Sequence, residues 1–217
     1  MNFFGHAVVA TWRSRADGFV LGAMLPDFAG MIGVRPPRVT HDEVDRGIAF
    51  HHETDRVFHD SATFRALQGE ARRTLRSLGL PRPSALAVAH IGVEILLDSS
   101  LAKDASATES YTRALSAGRH ELLGGHIEWS DEAVRARFEK LRAILETRGV
   151  PSGASDPRAV AWRVSRALEG RPRFRLEPKG ERIVHSWAEQ TSGAIAEAAD
   201  SVIAELCAGL GLLTAKP

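Results

Sequence analysis

The stretch Gly47-Ile-Ala-Phe-His-His-Glu-Thr-Asp-Arg-Val-Phe-His-Asp60 constrains this chain most tightly, because as a helix it puts His51, Asp55 and His59 four residues apart on one face. At about 100° per residue, Val44, Ile48 and Phe58 project in the same direction, so the imidazoles and the carboxylate point where a core helix should point inward. An ionised Asp in a protein interior needs a partner, and metal coordination supplies one directly. A second stretch, Leu86-Ala-Val-Ala-His-Ile-Gly-Val-Glu-Ile-Leu-Leu-Asp-Ser-Ser-Leu101, repeats the spacing with His90, Glu94 and Asp98 on a helix that is otherwise apolar nearly all round. Neither inner face offers a Lys or Arg of its own, which favours a metal site over an interhelical ion-pair network.

Geometry limits how these residues can share an ion. Positions i and i+4 lie about 5 to 6 Å apart at Cβ and can clamp one metal, whereas i and i+8 are about 12 Å apart along the axis. The triplets therefore imply two ions, or one ion with supporting partners. A paired site bridged by a carboxylate suits phosphoester hydrolysis. Mixed His and carboxylate ligands without thiolates suit Mn, Fe, Zn or Mg. His6 and Asp27, each on or beside an apolar segment near the N-terminus, join the candidate ligands His51, Asp55, His90, Glu94 and Asp98. For catalysis the candidates are Asp55 as proton acceptor, His59, and Arg56 as a solvent-facing group that could hold a phosphate oxygen.

The remainder of the chain reads as helical almost throughout, since β-branched residues are sparse and no period-2 alternation appears. The expectation is an all-α, single-domain helical bundle over residues 1–217 with about 8–9 helices. Helices are expected over residues 2–13 and 18–31, with Pro26 starting or kinking the second. A capping box of Thr40 and Glu43 should start the His51 helix, and residues 61–78 should form the next. Ser84 is expected to cap the central apolar helix, Ser106 with Glu109 another, and Ser130 an amphipathic helix closed by Gly149 and Pro151. Residues 119–129 are ambiguous. Asp156-Pro157 opens a helix ending near Gly170, and a long last helix runs from about Glu181.

Charge excludes little but orders the choices. With 28 basic and 27 acidic residues the net charge is +1, so no overall field argues for nucleic acid. No apolar run approaches a membrane span, and one cysteine, Cys207, allows no internal disulfide; a soluble, unprocessed cytoplasmic chain is expected.

Three segments carry a family resemblance. Met1-Asn-Phe-Phe-Gly-His6, Gly22-Ala-Met-Leu-Pro-Asp27-Phe28 and Gly47-Ile-Ala-Phe-His51 followed by Asp55 resemble the bacterial acyl carrier protein phosphodiesterases. That family is an α-helical, metal-dependent offshoot of the HD phosphohydrolases and cleaves the phosphodiester joining 4′-phosphopantetheine to a carrier-protein serine. The resemblance covers residues 1 to 60. It implies His6, Asp27, His51 and Asp55 as site positions, manganese as the favoured ion, acyl carrier protein as partner and an HD-like fold. The chain departs from the pattern where His59 replaces an acidic residue, and where His90-Ile-Gly-Val-Glu94 replaces an aromatic-Asp-His motif. Leu21 to Asp27 is also similar to zinc-dependent phospholipase C-like proteins. Alternatives are an HD-type di-iron oxygenase and, without catalysis, a helical interaction module with a buried polar network. Arg65, Arg72 and Arg76 form a stripe that could dock an acidic carrier protein.

Overall fold

A computed structural model describes residues 1–150 and 156–212. These residues form nine α-helices: α1 Phe3–Arg13, α2 Asp17–Met31, α3 Asp42–Asp60, α4 Ala62–Ser77, α5 Arg82–Leu101, α6 Ala105–Ala117, α7 Glu132–Arg148, α8 Pro157–Leu168 and α9 Pro178–Gly209. The all-α expectation holds. The ambiguous stretch resolves into a 3-10 turn, Leu123–His126, and a two-residue strand, Ile127–Glu128, antiparallel to Arg38–Val39.

The chain divides into two compact units that are interleaved in sequence. Unit 1 comprises residues 1–57, 101–150 and 207–212; unit 2 comprises 58–100 and 156–206.

In unit 1, α1, α2 and α6 pack on one another, and α7 packs on α6. Asn2 accepts the Phe4 and Gly5 N–H groups and so starts α1. Its core includes Phe4 edge-on to Tyr111, with Phe28 against Phe138. Two glycines set the closest approach. A Cβ on Gly47 would lie 2.2 Å from the Phe19 carbonyl, and one on Gly22 would lie 2.1 Å from the Val44 carbonyl. Only hydrogen side chains let α2 and α3 meet backbone to backbone here. Pro26 lies inside α2 and takes one intrahelical donor from the turn that begins at Gly22.

In unit 2 the described helices α4, α5, α8 and most of α9 bury Leu75, Val88, Val164, Val184 and Trp187. Gly92 of α5 admits the Trp187 ring, whose Cζ3 would be 2.6 Å from an added Cβ. By length and composition alone α5 could cross a membrane, contrary to expectation, but 67% of its apolar window is buried. Such a helix passes that test simply by being a core element.

Helix starts were the weakest part of the sequence reading. α3 begins at Asp42, and Thr40 is used elsewhere: its N–H and hydroxyl meet the His126 carbonyl and Nδ1. Asp104 and Asp131 cap α6 and α7 in place of Ser106 and Ser130, and Ser84 lies inside α5. Asp104 stands two residues before Ser106 and Asp131 one residue after Ser130, and each carboxylate accepts free N–H groups of its helix. Asp156 caps α8 as expected, and α9 starts ahead of Glu181, at Pro178. Pro151 lies outside the described residues.

Candidate metal centres

The first centre is in unit 1. His6 comes from α1, Asp27 from α2, and His51 and Asp55 from α3. One ligand atom from each of His6, Asp27 and His51 lies within 4.8 Å of the others. The rings of His6 and His51 stack with centroids 3.8 Å apart. His51 is one turn beyond Gly47, so the close α2–α3 contact carries it directly against α2.

Hydrogen bonds decide which nitrogen of each ring is available. His51 Nδ1 donates to the Ala23 carbonyl at 2.9 Å, leaving Nε2 as a bare lone pair. His6 Nε2 donates to Asp55 Oδ1 at 3.1 Å, leaving Nδ1 bare; that atom is buried and has no hydrogen-bond partner among the described residues. A buried imidazole whose second nitrogen is held by a carbonyl or carboxylate is the arrangement expected of a metal ligand.

Charge states fit the same role. Burial pushes the His6 pKa down to about 3, outweighing the raising effect of its hydrogen bond to Asp55. His51 is lowered as well, first by burial, against the raising effect of its bond to Ala23. Burial pushes Asp55 up, but its hydrogen bond from His6, the Met1 ammonium at 3.1 Å and both imidazoles outweigh it and hold the carboxyl well below its usual range. Near neutral pH the centre therefore holds two uncharged imidazoles and an ionised carboxylate, the protonation states that coordination requires.

Unit 2 holds the second centre. One ligand atom from each of His59, His90 and Glu94 lies within 4.8 Å of the others. His59 and His90 stack at 5.0 Å; the Gln68 amide N–H donates to His90 Nδ1 at 2.5 Å, so His90 Nε2 carries the proton, lies 3.1 Å from Glu94 Oε1 and donates to it, and neither nitrogen of that ring is bare. Glu94 is buried, whereas the His90 side chain is 43% exposed. Gln68 was not anticipated; as a neutral residue on the polar-looking side of α4 it gave no signal in the sequence.

Asp98 is in neither of the two groups of close ligand atoms found among the described residues. It is 1% exposed and faces Arg163 of α8 at 3.6 Å. The cation missing from the inner faces of α3 and α5 thus comes from a third helix. Arg56 is exposed, as expected for a residue on the outer face of α3. His59 stands with His90 and Glu94 as a possible ligand, in addition to the catalytic part assigned to it from sequence. The unforeseen contributors to the first centre are the Ala23 carbonyl, Gly22 and Gly47. The two glycines fall within the quoted family-like segments, so their signal was present without its physical reason.

No protein-family model, no curated protein and no solved structure matches the chain.

Proposed function

We propose that this chain is a divalent-metal-dependent phosphodiester hydrolase, with manganese the favoured ion and the 4′-phosphopantetheine linkage of acyl carrier protein the favoured substrate. One observation carries the reading: two buried imidazoles, each with one nitrogen fixed by Ala23 or Asp55, stand beside Asp27 within ligand distance of one another. A buried salt-bridge network would instead favour charged imidazoles. His6, Asp27 and His51 would hold the ion, and His59, His90 and Glu94 would hold a second once the proton on His90 Nε2 is displaced. A divalent ion in such a centre supplies Lewis-acid activation of water and of the phosphoryl group at neutral pH.

The chain's own groups supply the rest. Asp55, ionised and 36% exposed at its side chain, is reachable and can accept a hydrogen bond from the attacking water, while its lowered pKa makes it a weak base. His6 Nε2–H holds that carboxylate in place. Arg56, exposed on the same helix, can take a phosphate oxygen.

The test is hydrolysis of bis-p-nitrophenyl phosphate by the purified protein, before and after exhaustive chelation, with Mn²⁺, Zn²⁺, Fe²⁺ or Mg²⁺ added back. Loss on chelation and recovery with a divalent ion is the expected result. Turnover that survives chelation defeats the metal reading. Oxygen uptake by an iron-loaded, coloured protein would replace hydrolysis with oxygenase chemistry.

A further inference from the structure

Unit 2 carries a feature that the metal chemistry does not use. α4 and the start of α5 enclose a groove of about 590 Å³ lined by Arg72, Arg73, Arg76, Arg82, Leu86 and Phe174 among others, with no acidic residue in the lining. Arg73 pairs with Glu70 on α4, but Arg72, Arg76 and Arg82 meet no carboxylate among the described residues. In a chain of net charge +1 this is a strong local concentration. Its floor is apolar, formed by Pro83, Ala85, Leu86 and Phe174, and Leu86 is 54% exposed. Clustered guanidinium groups repel one another and do nothing for the fold, so the arrangement points outward to a ligand.

We propose that this groove docks an acidic amphipathic helix of a partner protein. An apolar side chain of that helix fills the recess against Leu86 and Phe174, while its carboxylates pair with Arg72, Arg76 and Arg82. Three observations select this occupant. The lining forms a recess of about 590 Å³, which can receive a protruding side chain. An apolar floor disfavours a phosphodiester backbone. Arg72 and Arg76 are spaced i, i+4, matching acids one turn apart on a helix, and arginine binds carboxylates in a bidentate fork.

The groove lies on helices that also carry parts of the second centre. Leu86 is one turn before His90 on α5, and Arg72 is one turn beyond Gln68, whose amide holds His90. The docking proposal takes its partner, acyl carrier protein, from the hydrolase reading, which turnover of bis-p-nitrophenyl phosphate tests separately.

The experiment measures binding of full-length protein to holo acyl carrier protein at two salt concentrations, for wild type, Arg72→Glu/Arg76→Glu, the milder Arg72→Gln/Arg76→Gln and Leu86→Ala. Charge reversal is expected to weaken binding by about 10-fold or more and flatten its salt dependence, the neutral pair by less, and Leu86→Ala by roughly 5-fold. Melting temperature and bis-p-nitrophenyl phosphate turnover should stay at wild-type values in these variants. Carrier-protein binding that is absent, or indifferent to the arginines, overturns the proposal. So does arginine-dependent binding of phosphatidylglycerol vesicles or a single-stranded oligonucleotide in place of the carrier protein. Arginine-dependent binding without hydrolysis of either substrate supports the docking surface and refutes the hydrolase reading alone.

Discussion

The two candidate centres are built from similar residues, yet they differ in how much of their geometry is fixed before any ligand arrives. In unit 1 the imidazoles of His6 and His51 are almost fully buried, one held by a backbone carbonyl and the other by Asp55. In unit 2 the His90 side chain is 43% exposed, and its holder, Gln68, is a flexible side chain. Burial makes the first centre rigid and uncharged; exposure leaves the second adjustable. A rigid centre suits tight binding of an ion, and an open one suits exchange of ligands with an incoming substrate.

Ligand removal separates the two most strongly. His51→Ala should lower metal-dependent turnover and Mn²⁺ affinity by about 1000-fold, and His90→Ala by about 10-fold to 100-fold. Metal titration followed by calorimetry, alongside kinetics, gives both numbers. Equal losses would mean that the two centres contribute alike and would dissolve the comparison.

Glycine packing gives the next largest contrast. Gly47→Ala forces a methyl group to within 2.2 Å of a backbone carbonyl, whereas Gly92→Ala meets the edge of the Trp187 ring at 2.6 Å. Backbone must move in the first case, so about 3 kcal/mol or more of stability should be lost, against roughly 1 to 3 kcal/mol in the second. Denaturant unfolding measures both, and Gly47→Ala should in addition lose metal, because it displaces His51. A Gly47→Ala protein that keeps its metal affinity would detach the centre from the helix crossing.

Asp55→Asn tests whether the first centre is functional at the cost of stability. A purely catalytic carboxylate is commonly a liability to the metal-free fold. Here Asp55 accepts a hydrogen bond from His6 and pairs with the Met1 ammonium, so its loss should cost the chelated protein about 1 to 2 kcal/mol while abolishing turnover. Melting curves of chelated wild type and variant decide the sign. Unchanged catalysis in the variant would remove Asp55 from the reaction.

The smallest effect concerns pH. Glu146 of unit 1 accepts hydrogen bonds from Ser116, Arg119 and Arg142, which together outweigh its burial and hold its pKa at about 2. Because the folded value is below the unfolded one of 4.5, its contribution is present above about pH 4.5 and is lost as pH falls towards 2. Glu146→Gln should flatten this limb of the stability profile by no more than about 1 kcal/mol, given solvent screening. A profile that the substitution leaves unaltered would show that the Arg142 network carries no net charge energy.

Much of this protein could be read from local pattern. The helical class, the apolar faces, and the placing of His6, Asp27, His51 and Asp55 on inward-facing positions follow from spacing along each helix, because the 3.6-residue repeat decides which residues share a face. The start of α8 at Asp156-Pro157 was legible for the same local reason, a cap followed by a helix-starting proline. Cap choice elsewhere failed, since Asp104 competes with Ser106, and Asp131 with Ser130, over a span of one or two residues.

What spacing could not supply was the grouping. His59 belongs with His90 and Glu94, and Asp98 with Arg163, although His51, Asp55 and His59 share one face of α3, and His90, Glu94 and Asp98 one face of α5. Side-chain facing is set within a helix by covalent geometry, so the sequence determined which groups point inward. Which of them meet depends on how closely helices far apart in the chain approach, and that was decided by contacts such as Gly22 against Gly47 and Gly92 against Trp187. Tautomer and charge were decided at the same level, because the Ala23 carbonyl and the burial of His6 exist only once the helices have packed.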